Sequence, residues 1–162
     1  MKITAIEEYG LRVAVQLGRE GPGGSLTIPE LAEREGLSTA YVGKLLALLR
    51  QAELVTAARG RSGGYTLTRP AAEITASEVL RVFGGRVWDS GYCERHAGSL
   101  EACIHLGRCS VRTLWGRLES AVDQLLRNVT LADLVDGQVS RPDPIAHTGD
   151  VQAATSAAGK EQ

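Results

Sequence analysis

Apolar residues near the start of the chain repeat every three or four positions, which is the spacing of one face of an α-helix. The repeat predicts a helix over 4–19, and the glycine-rich stretch "EGPGGS" at 20–25 predicts a turn after it. A second short helix is predicted within 27–36, because Thr27 and Glu30 form a T-x-x-E capping pattern at its start.

A third helix follows directly, with Gly36 as the turn and Ser38 as the predicted N-cap. Its predicted buried side holds Tyr41, Val42, Leu45, Leu46 and Leu49. Two short helices joined by a tight glycine turn are typical of a helix-turn-helix. The segment 54–70 then has two strand-like stretches around the basic loop "RGRSGG", which predicts a β-hairpin. Together these elements predict a winged helix.

The second half of the chain predicts three more helices and a tail. Thr75 and Glu78 form another capping pattern for a helix over 75–85, and apolar spacing predicts about five helical turns over 111–129. A short helix is predicted over 130–137. The expected fold is mainly α, with a winged helix-turn-helix domain, a two-stranded β-hairpin wing and a long dimerisation helix. The predicted segments are 1–84 as the DNA-binding domain, 85–110 as a cysteine-bearing loop, 111–137 as the dimerisation helix with a short C-terminal helix, and 138–162 as a disordered tail.

The chain of 162 residues is nearly neutral overall, but its charges are unevenly distributed along the sequence. The net charge is −1, yet residues 38–69 carry five basic side chains against one acid, a difference of +4. Such a patch attracts phosphates and releases counterions, which favours DNA binding over a merely solvated basic face. The third helix would enter the major groove, and the hairpin arginines would reach a minor groove or phosphates. The predicted DNA-contacting residues are Ser38, Thr39, Ala40, Tyr41, Gly43, Lys44, Arg50, Arg59 and Arg61.

The long helix carries an apolar stripe that is too extensive to be left in water. The stripe is buried either against its own domain or against the same helix of a second chain. We favour a homodimer, because a two-fold protein suits a palindromic operator in double-stranded DNA. The predicted interface residues are Leu114, Trp115, Leu118, Val122 and Leu125.

All three cysteines of the chain lie within "YCERHAGSLEACIHLGRCSVR" (92–112), at a C-x9-C-x5-C spacing. Their polar neighbours argue against inert packing, and the odd number argues against a disulfide framework. Three kinds of chemistry stay open: redox thiols beside arginines, a zinc site with His96 or His105 as the fourth ligand, and an iron–sulfur cluster.

Several motifs, in this order, resemble the IscR/NsrR family of winged-helix regulators: "EYGLRVAVQL", "RGRSGGYTLTRP", the clustered cysteines and "VTLADLV". The resemblance covers about residues 1–136. It implies a DNA-binding transcriptional repressor with a long dimerisation helix. Family members with three cysteines bind an iron–sulfur cluster, of two or four irons, so the resemblance implies Cys93, Cys103 and Cys109 as thiolate ligands.

The chain departs from this family in the fourth ligand. The IscR branch has a histidine three residues after the last cysteine, where this chain has Arg112, and arginine cannot ligate. In the nitric-oxide-sensing branch, a carboxylate in the first helix of the partner subunit is the ligand. The matching position is Glu8, with Glu7 adjacent. The resemblance therefore implies three cysteines from one chain and Glu8 from the other, with His96 and His105 as alternatives.

No catalytic constellation is visible in the sequence. Signatures of serine hydrolases, P-loop proteins and zinc proteases are absent, so we predict neither enzyme activity nor a small-molecule substrate. The first residues do not resemble a signal peptide, and no apolar run approaches the ~20 residues that cross a bilayer. We therefore predict a cytoplasmic protein without a membrane partner. Two rival functions stay open: a zinc-stabilised winged-helix module, and a thiol-switch regulator without a cluster.

Overall fold

The computed structural model describes residues 3–58, 63–84, 91–97, 100, 102–105 and 107–139. Its helices and strands follow in the order α1 (Ala5–Arg19), α2 (Ile28–Glu35), α3 (Thr39–Gln51), β1 (Val55–Ala57), β2 (Tyr65–Leu67), α4 (Ala76–Val82), α5 (Tyr92–Arg95), α6 (Ser110–Arg127) and α7 (Leu131–Asp136). A 3₁₀ turn over Ala71–Glu73 joins β2 to α4. The predicted fold class, mainly α with a two-stranded β-hairpin, is confirmed.

Capping residues determine where several of the helices begin. At the start of α2, the Glu30 carboxylate accepts a hydrogen bond from the Thr27 N–H at 2.7 Å, and the Thr27 side chain accepts one from the Glu30 N–H. Thr75 and Thr130 begin α4 and α7 in the same way. Gly36 ends α2 in the left-handed conformation, with φ 65°. These local contacts confirm the capping patterns predicted at Thr27 and Thr75.

The wing consists of the antiparallel strands β1 and β2, in which Val55 is opposite Leu67 and Ala57 is opposite Tyr65. Leu26, which precedes α2, forms two further backbone hydrogen bonds with Tyr65, at 2.8 and 3.0 Å. The outer edge of β2 is therefore hydrogen-bonded to the residue before the helix-turn-helix. The sequence did not predict this pairing. The hairpin tip at 59–62 lies outside the described residues.

One hydrophobic core joins α1, α2, α3, β1, α4 and α7. Its buried members include Val13, Ala14, Leu17, Leu26, Leu31, Val42, Leu45, Leu46, Leu49, Leu54, Val55, Ile74, Val79, Phe83 and Leu131. Leu131 of α7 is fully buried, and its N–H donates to the carbonyl of Ile74 at 2.9 Å. The Ala76 N–H donates to the carbonyl of Val129 at 2.8 Å. After α6, the chain therefore returns to the winged domain.

Replacing Gly10 with alanine is expected to lower the free energy of unfolding by about 1–3 kcal/mol. Gly10 is buried in α1, and a Cβ at this position would overlap the ring of Phe83. Chemical denaturation measures the change. The matched control is Gly43→Ala in α3, where a Cβ would lie 3.9 Å from the Ile28 Cδ1 atom and fits without displacement. Equal stability of the two variants would contradict the close packing of α1 against Phe83.

The helix bounds agree with the sequence pattern except at the end of α4 and near the cysteines. α1 and α6 lie within two residues of the predicted limits, whereas α4 ends at Val82, before the predicted limit of 85. The short helix α5 was not predicted. Residues 140–162 lie outside the described residues, so the disordered tail stays a prediction. Among the described helices, none combines the length and the apolar character needed to cross a membrane.

Candidate DNA-binding surface and cysteine segment

One side of α3 is anchored in the core and the other faces solvent. Val42, Leu45, Leu46 and Leu49 are fully buried. The predicted DNA-contacting positions on or beside this helix are either exposed (Ser38, Thr39, Ala40, Lys44, Arg50) or half-buried (Tyr41, Gly43). The Ser38 side chain caps the helix by accepting a hydrogen bond from the Tyr41 N–H at 3.2 Å. The structure therefore brings these seven positions onto one element, with its N-terminus free to approach a partner.

Aromatic and ionic contacts hold the two helices of the helix-turn-helix, α2 and α3, against α1. The rings of Tyr9 and Tyr41 meet edge to face, with centroids 6.0 Å apart, and the Arg12 guanidinium lies 5.4 Å from the centroid of Tyr9. Arg12 and Gln16 each donate to the Glu35 carboxylate at 2.5 Å. Glu35 is buried and ends α2, so α1 contacts both helices of the motif. Sequence reasoning missed these contacts.

Of the basic side chains predicted within 38–69, the structure describes Lys44, Arg50 and Arg69. Within the described part of the chain, the side chains of Lys44 and Arg50 form no ion pair and remain available for phosphates. Arg69, by contrast, donates to the Glu78 carboxylate at 2.8 Å and to the Glu73 carbonyl at 3.1 Å. A charge that is paired in this way attracts phosphate less strongly. The predicted contacts of Arg59 and Arg61 fall outside the described residues.

The apolar stripe of α6 is exposed in the single chain. Leu114 is 59% exposed and Leu118 is 38% exposed, and Val111, Trp115 and Leu125 are exposed as well. Val122 is half-buried, and no residue of α6 is fully buried. Burial of the stripe against its own domain is therefore wrong for these residues. A contiguous exposed apolar surface of this kind is typical of an interaction site.

The opposite side of α6 is held to α4 by a polar cluster, which we name the Asp123 clamp. The Ser77 hydroxyl and the Arg81 guanidinium donate to Oδ1 of Asp123 at 2.6 and 2.7 Å, and the Arg127 guanidinium donates to Oδ2 at 2.7 Å. The hydrogen bond from Ser77, followed by that from Arg127, lowers the pKa of Asp123 to about 2. The carboxylate therefore stays charged at any physiological pH.

The cysteines lie along the segment that precedes α6. Cys93 is in α5, Cys103 is in the irregular stretch after it, and Cys109 is the N-cap of α6. All three are free thiols and half-buried. The Cys109 sulfur accepts a hydrogen bond from the Arg112 N–H at 3.4 Å and so caps the N-terminus of α6. Within the described ranges, no three His, Cys, Asp or Glu side chains come together as a metal site.

The candidates for a fourth ligand differ in their present contacts. The Glu7 carboxylate is occupied by the cap of α1, where it accepts from the N–H and the hydroxyl of Thr4, both at 2.7 Å. Glu8 is exposed, and its side chain forms no hydrogen bond or ion pair with the described residues. His96 stacks on Tyr92 with ring centroids 4.0 Å apart, and its Nδ1 lies 2.9 Å from the Tyr92 carbonyl, which leaves Nε2 open. His105 is exposed.

Sequence relatives of this chain are described as transcriptional regulators. Residues 3–137 match the profile of the Rrf2 family, which is described as an iron-dependent transcriptional regulator. The HTH-type transcriptional regulator IscR of Serratia proteamaculans is 31% identical over 138 residues, covering 85% of this chain and 81% of that protein. IscR of Yersinia pestis is 30% identical with the same coverage.

Solved structures share the same architecture. IscR of T. potens aligns with a TM-score of 0.67 and 27% identity, over 85% of this chain and 88% of that chain. CymR, the global cysteine regulator of B. subtilis, aligns with a TM-score of 0.68 and 30% identity, over 85% and 98%. The oxidized form of Staphylococcus aureus CymR aligns with a TM-score of 0.64 and 32% identity, over 84% and 97%. These structures confirm the winged-helix arrangement.

Proposed function

The chain belongs to the Rrf2 family of transcriptional regulators, and from this premise we propose that it is a DNA-binding repressor controlled by an iron–sulfur cluster. The observation that carries the proposal is the placement of Cys93, Cys103 and Cys109. They are free, half-buried thiols on one short segment between the winged domain and the exposed stripe of α6. Thiolates are the usual ligands of iron–sulfur clusters. The signal would be redox state, iron–sulfur status or nitric oxide.

The fourth ligand in this proposal is Glu8 from the partner subunit. Its support here is the exposure of the Glu8 carboxylate and its lack of contacts with the described residues, whereas the neighbouring Glu7 already caps α1. The three thiols suit the soft iron–sulfur centre, and a carboxylate oxygen is a weaker ligand for such iron than thiolate. Glu8 would therefore be the exchangeable ligand.

The proposed target is a palindromic operator in double-stranded DNA, read by a homodimer. Pairing of the exposed α6 stripe would place two copies of α3 in a two-fold arrangement. The N-terminal residues of each α3 would then enter the major groove, with Lys44 and Arg50 available for phosphates. The cytoplasmic location that this function requires stays a prediction.

We propose that the cysteine segment acts on DNA binding through α1 of the partner subunit. When bound, the cluster would provide a rigid link between that segment and α1 of the partner. Glu8 is followed by Tyr9, whose ring contacts Tyr41 on α3. Holding or releasing the first turn of α1 would therefore shift the position of α3. Couplings of this kind are typically 1–3 kcal/mol, or about 5- to 150-fold in affinity.

A second candidate function is a thiol-switch regulator without a cluster. It is favoured by the similarity to CymR structures, one described as a global cysteine regulator and another as an oxidized form. Three free cysteines on one segment would suit reversible oxidation. A third, structural function is a zinc site on the same thiols. Anaerobic purification distinguishes the cluster from the other two, because only the cluster gives a brown protein with visible absorbance.

Replacing Lys44 with glutamine is expected to weaken operator binding and reduce its salt dependence. The exposed ammonium would neutralise one phosphate per subunit, so the slope of log affinity against log salt should fall by about 2 for a dimer. The operator is first obtained by selection from random duplexes. Affinity is then measured by fluorescence anisotropy across a salt series.

The matched control is Lys44→Arg, which keeps the charge at the same position and should retain the slope. If Lys44→Gln has the salt slope of the wild type, the exposed face of α3 does not contact phosphate. If no duplex is enriched by the wild type in any redox state, the proposed function itself is wrong.

A further inference from the structure

The long helix is attached to its own winged domain at two points. The first is the Asp123 clamp, in which Ser77 and Arg81 of α4 both donate to the Asp123 carboxylate. Ser77 is only 3% exposed, so its hydroxyl depends on this carboxylate for a partner. The second is the pair of backbone hydrogen bonds that join 129–131 to 74–76. Two points fix the tilt of a rod, whereas one point leaves it free to pivot.

The clamp and the exposed stripe lie on different sides of α6. At 3.6 residues per turn, Asp123 lies roughly 130° around the helix from the middle of the stripe that contains Leu114, Leu118 and Leu125. One side of the helix therefore holds the winged domain while the other remains free for a second chain. Neither contact would displace the other.

The length of α6 converts a small tilt into a large displacement. From Asp123 back to Ser110, the helix spans 13 residues, or ~20 Å at 1.5 Å per residue. A tilt of about 10° at the clamp would shift the far end by ~3.4 Å, which is one base-pair step of DNA. The separation of two α3 helices across a dimer therefore depends on how firmly Asp123 is held.

We propose that the Asp123 clamp determines which half-site spacing the dimer accepts in a palindromic operator. Ser77, Arg81 and Asp123 act as positioning residues: they do not touch DNA but fix the angle between α6 and the winged domain that carries α3. This inference rests on the proposed function and on a dimer formed through α6.

The test compares operators that differ only in spacing. The half-sites selected by the wild type are placed in duplexes with the selected spacer and with one base pair added or removed. We expect the wild type to prefer its own spacing by roughly tenfold or more, the effect of about 1.4 kcal/mol. Asp123→Ala should reduce that preference at least about fivefold, because the helix then pivots on its C-terminal attachment alone. Sedimentation should show both proteins as dimers.

Two further variants keep the test decisive. Ser77→Ala removes one buried donor and should reduce the spacing preference if Asp123→Ala fails to fold. Gln124→Ala, an exposed neighbour of Asp123 on α6, should preserve it. An unchanged preference in both clamp variants overturns the inference. So does a monomeric Asp123→Ala protein, since the clamp lies off the proposed interface. Failure of the wild type to bind any duplex would instead refute the proposed function.

Discussion

Replacing Cys103 with alanine is expected to give a colourless protein on anaerobic purification, whereas the wild type should be brown. The proposed cluster takes three of its ligands from Cys93, Cys103 and Cys109, and losing one thiolate leaves too few to retain it. Visible absorbance, together with iron and acid-labile sulfide per chain, measures the loss. Operator affinity should also stop responding to oxidant. Cys103 is not in the buried core, so the free energy of unfolding should change little.

The matched control is Ser110→Ala, an exposed change next to Cys109 that should leave the colour intact. A brown Cys103→Ala protein that still responds to oxidant would exclude Cys103 as a ligand. A colourless wild type would exclude the cluster altogether. Bound zinc would then support the structural site, and a disulfide that dithiothreitol reduces would support the thiol switch.

Replacing Leu118 with aspartate is expected to convert a dimer into a monomer at micromolar concentration. Leu118 lies in the middle of the exposed α6 stripe, so dimerisation would bury one unpaired carboxylate from each chain. The effective penalty is several kcal/mol per ion, which would lower operator affinity by roughly a hundredfold or more. Sedimentation equilibrium and operator titration measure the two effects. The monomer should remain folded, because Leu118 is already 38% exposed.

Gln124→Asp introduces the same charge on α6, outside the stripe, and serves as the control. It should remain dimeric and bind the operator like the wild type. A dimeric Leu118→Asp protein would show that another surface joins the subunits, and the predicted roles of Leu114, Trp115, Leu118, Val122 and Leu125 would be wrong.

Features that depend on a few neighbouring residues could be predicted from the sequence. The capping pattern at Thr27 occupies four residues, and the stripe of α6 repeats within one helix, so both are readable without knowledge of the fold. The exposed half of α3 followed from the same reasoning, since the apolar spacing of its buried side fixes which positions remain outside.

Contacts between distant segments could not be predicted in this way. Ser77 and Asp123 are 46 positions apart, and neither lies in a pattern that indicates the other. The same holds for Arg69, which was counted in the basic stretch 38–69 but forms an ion pair with Glu78. The ligand set of the cysteines is harder still, because thiol spacing does not distinguish zinc from a cluster, and the proposed fourth ligand comes from another chain.

The two backbone hydrogen bonds between 74–76 and 129–131 bring the start of α4 beside the start of α7. The cysteine segment and α6 therefore lie, along the chain, between two neighbouring points of the same hydrophobic core. The entropic cost of closing a loop grows only slowly with its length, so a segment with fixed ends tolerates inserted residues. We therefore expect that residues can be added or lost between Cys93 and Cys103 while the proposed DNA-contacting side chains on α3 keep their positions. Among related chains, we expect the spacing of the cysteines to vary more than the length of the winged domain.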